Sequence, residues 1–398
     1  MQSPNRVEAL TGVRALAGLY ILSFHFAQPL FAHAPGWAET LRRSGYIATS
    51  FFLMLSGFVL TIAYARKLGD GRLDGRGFIA ARIARLYPIY VLALLLMLPF
   101  ALVHRWGVVT GSFGDDSVRY KVATGLANAT MSHVLVPRLN GSWNMPGWCV
   151  SVEMWFYFAF PAVAVWMLAR RTRTLVGVLA GSWGVALALS IAYTIVQPDG
   201  FRPDHESSAF WLTIFKFTPY TRWPEFLFGL ALGVVWLRLP AERRGQRFAT
   251  PLLALGALAT LTILLVSPHI PYTMLHNGTL LPLYAMIVWG VMLGHGPLHR
   301  ALAIRPLTAL GDSSYVLYLL QLPLIQWMVL LAHRDYHHLD APFAATAIVL
   351  ILATSLAVHF LVETRAQSWL RPILVRWISR MPRVPLVQPK RVLASSAS

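Results

Sequence analysis

Residues 10–26 read LTGVRALAGLYILSFHF, an apolar run broken by one arginine, Arg14, and one histidine, His25. A helix needs about 20 such residues to cross about 30 Å of hydrocarbon. Nine further runs of this kind follow. Together they predict membrane helices over residues 10–30, 47–64, 86–104, 149–168, 175–196, 225–239, 251–267, 280–293, 314–332 and 343–361. The chain therefore reads as an all-α polytopic membrane protein with about ten transmembrane helices. Unbroken runs near 20 residues, in place of alternating tens, argue against a transmembrane β-barrel.

Composition points the same way. Of 398 residues, 56% are hydrophobic and 13% charged, and the mean hydropathy is +0.56. A soluble domain carries about 25% charged residues, so a soluble enzyme is excluded. A disordered chain would lack this much apolar surface. The net charge of +18 comes from 34 Lys and Arg against 16 Asp and Glu. These cations lie between the apolar runs, so membrane orientation accounts for them and no nucleic-acid partner is expected. With the N-terminus in the cytoplasm, the inner segments hold 23 of them and the outer segments ten. That asymmetry predicts an N-in, C-in topology.

The lone Cys149 has no disulfide partner and no metal-type spacing, so no metal site is expected. The first run lacks a small-residue cleavage site and is expected to stay as a helix. Residues 1–365 read as one membrane-embedded domain. Residues 366–398 read as a basic cytoplasmic tail, disordered from Met381 onward. Two polar outer loops, 105–148 and 197–224, are expected to cover a site.

Polar groups in lipid are costly, so they are the informative positions. Eleven residues separate Arg14 from His25. At 100° per residue both fall on one helix face, about 16 Å apart along the axis. A fixed cation and an imidazole at different depths suit a long substrate with an anionic head, the imidazole serving as base. Snorkelling of Arg14 and plain packing of His25 are the alternative. Arg82 and Arg85 in ARIARLYPIYVLAL share a face and form either a phosphate clamp or inside anchors. In NMPGWCVSVEMWFYFAFP, Glu153 needs a partner: an acceptor hydroxyl, His25 or an arginine. Trp148 and Tyr157 beside it make a sugar-stacking wall or an interface belt. Arg222 and Glu225 in RWPEFLFGLALG are one turn apart, suiting an ion pair or substrate contacts.

Other positions read as structural. Ser56 and Gly57 in SFFLMLSGFVL permit close approach of a neighbouring helix or of a thin acyl chain. Asp312 and the serines after it in LGDSSYVLYLLQLP predict a helix cap. His33, His104, His133, His269, His276, His333, His337 and His338 read as interfacial, and Cys149 as a packing residue.

Those six motifs, in this order, resemble the membrane acyltransferase-3 family across roughly residues 6–365. Members O-acylate carbohydrates in bacterial envelopes, antibiotics and nodulation factors. The resemblance implies a ten-helix core in the bacterial plasma (inner) membrane. It would move an acyl group, acetyl being expected, from cytoplasmic acyl-CoA to a carbohydrate hydroxyl at the outer face. Acyl-CoA is then a co-substrate, and no permanently bound cofactor is expected. Carried over, His25 resembles the catalytic base and Glu153 the acidic site residue. Arg14, Arg82 and Arg85 resemble the groups that hold the CoA end; Trp148, Tyr157, Arg222 and Glu225 are the candidates for substrate contacts. Two positions depart from the pattern. Gln321 stands where the family often has His, and Cys149 where it has Ser. The esterase-like outer domain that some relatives append is not expected, so the membrane domain or a partner would complete transfer. The competing class is a transporter or flippase of a glycan or lipid, which also suits intramembrane charge.

Overall fold

The computed structural model describes residues 4–70, 73–102, 117–239, 248–294, 296–335 and 338–379, and regular structure among them is helical throughout. Among the described residues, ten helices correspond to the ten expected spans: α1 (Pro4–Phe26), α2 (Ala48–Gly69), α3 (Gly75–Leu102), α4 (Gly147–Leu168), α5 (Thr172–Val196), α6 (Pro219–Arg238), α7 (Ala249–Leu265), α8 (Leu281–Leu293), α9 (Ser314–Leu331) and α10 (Ala341–Val358). Among the described residues, eight stretches are long and apolar enough to cross a membrane. Two of the ten expected spans fall outside them. Arg222 and Glu225 lower the mean hydropathy of α6, and α7 has only 17 residues. Prolines 88, 99, 161, 224 and 323 lie within helices. Helices packed among neighbours tolerate them, because adjacent groups satisfy the freed carbonyls.

α1 runs through the interior, touching α2, α8 and α9 and the short helices Pro297–Leu302 and Arg305–Asp312. Gly12 is the reason it can lie so close: a Cβ there would sit 1.9 Å from the Leu302 carbonyl oxygen. The α2–α6 crossing is as tight. A Cβ on Gly57 would lie 2.3 Å from Phe226 O, and one on Gly229 would lie 1.8 Å from Met54 O. The small-residue expectation for Gly57 thus holds for a helix partner. Ser56 beside it faces a cavity.

Several sequence expectations are corrected. The helix expected to carry Arg82 and Arg85 into the span at residue 86 is one with it: α3 runs unbroken from Gly75 through Pro88. α1 ends at Phe26 and not at residue 30; Pro29 then opens a short 3-10 turn, Gln28–Phe31. The expected cap at residues 312–314 is absent. Asp312 ends the preceding helix, and Ser313 N–H bonds to Ala309 O at 3.0 Å, so that helix nearly continues into α9. His133 and His276 are buried, not interfacial, since their loops fold back into the bundle. His33, His269, His333 and His338 are exposed, while His104 and His337 lie outside the described residues. After α10, a π turn at His359–Glu363 leads into helix Thr364–Ser379, which packs on α3. Part of the expected tail is therefore helical, and 380–398 lies outside the described residues.

The glycine crossing yields a prediction. Gly229→Val drives a branched side chain into Met54 backbone and is expected to cost about 1–3 kcal/mol. Gly177→Ala, with open space around it, is expected to leave stability unchanged or slightly raised. Thermal unfolding in detergent compares the two, and equal unfolding temperatures would rule out the close contact.

Candidate active site

α1, α2, α3, α4 and α9 surround a cavity of about 430 Å³. Four cations line it, Arg14, Lys67, Arg82 and Arg85, against one carboxylate, Glu153. Each is placed by its helix. Arg14 donates to Ser314 Oγ at 3.0 Å, which ties α1 to the start of α9. Arg82 donates to the Tyr64 hydroxyl at 3.0 Å and lies over the Tyr64 and Phe78 rings, 5.6 Å from each centroid. The rings desolvate and orient the guanidinium without neutralising it. Arg85, one turn on, reaches the same space. Glu153 faces the Tyr157 hydroxyl, which pairs with Ser56 Oγ at 3.3 Å. The net positive lining suits an anionic group, and the apolar wall of Leu53, Val59 and Leu60 suits a slender chain.

His25 lines a different cavity, of about 500 Å³. Its ring is open to that space and has no hydrogen-bond partner among the described residues, although Phe24 meets it edge-on at 4.8 Å. Trp148, Gln321 and Lys216 line the same cavity. Gln321 donates to Tyr318 O at 3.0 Å, and its buried Oε1 has no partner. That oxygen can accept from a ligand hydroxyl. The two cavities share Thr49 and Tyr318, so they adjoin across those side chains. Tyr318 also faces the Cys149 thiol.

Loop segments close the His25 end. Helix Gly36–Arg43 brings in Arg42, which binds both Glu39 oxygens at 2.7 Å and donates to Phe24 O at 2.7 Å. Helix Phe210–Phe217 brings in Lys216, only 5% exposed. Its ammonium donates to Ser207 O at 3.3 Å and lies 5.0 Å and 5.2 Å from the Phe217 and Tyr272 ring centroids. Burial pushes it down to about 8, partly offset by the charge of Asp204.

Arg222 is fully buried behind the cavity wall. It pairs with Glu225 at 3.1 Å and donates to His276 O at 2.8 Å, to Asn277 Oδ1 and to Ser50 Oγ at 3.2 Å. Its guanidinium stands 5.5 Å from the Trp148 ring. Burial with these partners makes it a brace for Trp148, Ser50 and Thr49.

The structure thus groups the expected residues in three places. Arg14, Arg82, Arg85, Glu153 and Tyr157 share one cavity. His25 and Trp148 share the next. Arg222 and Glu225 line neither. The reach from Glu153 to His25 that the sequence left open is not made: they stand in separate cavities. Sequence reading missed Lys67, which it used only for orientation, and Lys216 and Tyr318. An aromatic next to each, Tyr64 near Lys67 and Phe217 after Lys216, was the available signal.

Comparison with known proteins gives a consistent picture. The model of the acyltransferase domain family matches residues 7–362. The chain is 45% identical over 94 residues to "Protein 2 in picA locus" of Rhizobium radiobacter, covering 24% of this chain and 45% of that one. It is 27% identical over 340 residues to the putative peptidoglycan O-acetyltransferase YrhL of Bacillus subtilis, covering 80% of this chain and 48% of that one. It is 30% identical over 284 residues to the exopolysaccharide production protein ExoZ of Rhizobium meliloti, covering 69% and 75%. The chain spans less than half the length of the first two of these relatives. No solved structure matches it.

The buried pair behind the site gives a second prediction. Arg222→Ala leaves Glu225 buried without its cation, at an expected loss of about 3–5 kcal/mol. The double change Arg222→Met with Glu225→Leu is expected to lose less than either single change. Unfolding in detergent reads both, and an Arg222→Ala protein as stable as the parent would show that the ion pair carries no weight.

Proposed function

This chain belongs to the acyltransferase-3 family, and on that footing we propose that it is an integral membrane O-acyltransferase acting on a carbohydrate. The acyl group, acetyl in this reading, comes from acyl-CoA on the cytoplasmic side and goes to a hydroxyl at the outer side of the bacterial plasma membrane. The topology that fits is ten crossings with both termini in the cytoplasm. The observation that carries the reading is the pair of adjoining cavities. One is rich in cations, the other holds an open imidazole, and they meet at Thr49 and Tyr318.

In this mechanism the CoA phosphates lie on Lys67, Arg82 and Arg85, with Arg14 deeper in. Guanidinium groups suit phosphate because their paired N–H donors match its oxygens. The thin pantetheine arm follows the apolar wall toward Tyr318. The acceptor sugar enters the other cavity, with Trp148 as a wall and Gln321 Oε1 accepting from one hydroxyl. Neutral His25 takes the proton of the reacting hydroxyl, and that oxygen attacks the thioester carbonyl. The tetrahedral intermediate collapses, the C–S bond breaks, and the imidazolium returns its proton to the CoA thiolate. Tyr318, common to both cavities, is the group placed to meet the carbonyl. Glu153 balances the cations and holds Tyr157 in the donor cavity. Arg222 and Glu225 act through Trp148 and Thr49 and are positioning residues.

The third prediction follows. In membranes with equal protein levels, His25→Ala is expected to slow acetyl transfer from labelled acetyl-CoA about 10²–10⁴-fold, the usual worth of a general base. Arg85→Ala is expected to raise the KM for acetyl-CoA about 10-fold or more, as loss of a charge-assisted contact does. Near-normal transfer by His25→Ala sinks the scheme.

A further inference from the structure

Lys216 is the unexplained charge at the His25 end. Its ammonium is buried, lines the cavity and has three N–H donors, of which the structure fills one, on Ser207 O. Among the described residues no carboxylate lies within ion-pair distance of it. The nearest acids do not touch it: the charge of Asp204 acts on the ammonium through space, and Glu206 lines the same cavity. Asp204 accepts from Glu206 N–H, Ser207 N–H and Ser207 Oγ. Glu206 is exposed and stands 3.4 Å from His205 Nε2. The other buried cations here are matched: Arg42 by both oxygens of Glu39, and Arg222 by Glu225. A buried ammonium is costly unless an anion meets it.

We propose that this cavity takes a carboxylate-bearing sugar, with Lys216 on the carboxylate and a nearby sugar hydroxyl turned toward His25. The second half of that statement rests on the acyltransferase reading; the first does not. Other lining groups suit a sugar. Gln321 Oε1 is a buried acceptor without a partner, and Trp148, Phe217 and Tyr272 give the cavity aromatic walls. One ammonium matches a single negative charge; a phosphate dianion is better met by several donors, and three of the five of Arg42 are already used, two of them on Glu39. Tyr46, His205 and Tyr272 are shared with a further cleft of about 590 Å³, which gives the remainder of an acidic glycan room to leave the site.

The test is a binding titration of the full chain in nanodiscs, without acyl-CoA, by calorimetry. Methyl glucuronide, methyl glucoside and glucose 6-phosphate are the probes. The parent protein is expected to bind the glucuronide at least 10-fold tighter than the glucoside. Lys216→Gln is expected to erase that difference while leaving glucoside affinity in place, and Lys216→Arg to keep most of it. Equal affinity for the two glycosides in the parent overturns the proposal, as does no detectable binding of either. A preference that survives Lys216→Gln overturns it too, and tighter binding of the phosphate ester than of the glucuronide replaces the carboxylate. Labelled-acetyl transfer on the same samples separates the two readings. Lys216-dependent binding with no transfer keeps this inference and removes the transferase; equal transfer to both glycosides does the reverse.

Discussion

At Gly57 and Gly229 the backbones of α2 and α6 touch, and no side chain fits between them. Lipid tails are as apolar as leucine, so helices in a membrane gain little from hiding apolar surface and must gain from close packing and polar contacts. This crossing supplies both. It fixes the rotation of α2, which turns Ser56 and Thr49 toward the cavities. It also brings the start of α6 near enough for Arg222 to bond to Ser50. The site is laid out by that one contact and the ion pair beside it.

Charge is then distributed by necessity. Cations and carboxylates on these helices cannot face hydrocarbon cheaply, so they turn inward and create polar space. At one end four cations outnumber Glu153, leaving a field that favours an anion. At the other, Arg42 and Arg222 are neutralised locally and the imidazole stands open. The contrast gives each end a different chemistry.

Much of this was legible in the sequence. Helical periodicity within one segment put Arg14 and His25 on one face, and Arg82 and Arg85 on another, and all four line cavities. Periodicity says nothing about depth between helices, so it could not tell that Glu153 joins Arg14 and not His25. It did give the Arg222–Glu225 pair, one turn apart, but not the other partners of Arg222, since His276 and Asn277 lie more than 50 residues away. Loop residues carried the rest. Lys216 and His276 lie in short segments between the expected spans, where helical periodicity carries no depth information, yet both side chains are buried. The cap expected at Asp312 failed for a local reason: Asp312 belongs to the preceding helix, whose hydrogen bonding carries on through Ser313 N–H.

Thr49 and Tyr318 belong to both cavities, so the two spaces adjoin at those side chains. An energised bilayer loses its proton gradient through any wide hydrated path. Passing a carbonyl carbon between two adjoining spaces, in place of a whole sugar, needs no such path. Chemistry that spans an insulating sheet can in this way proceed without short-circuiting it.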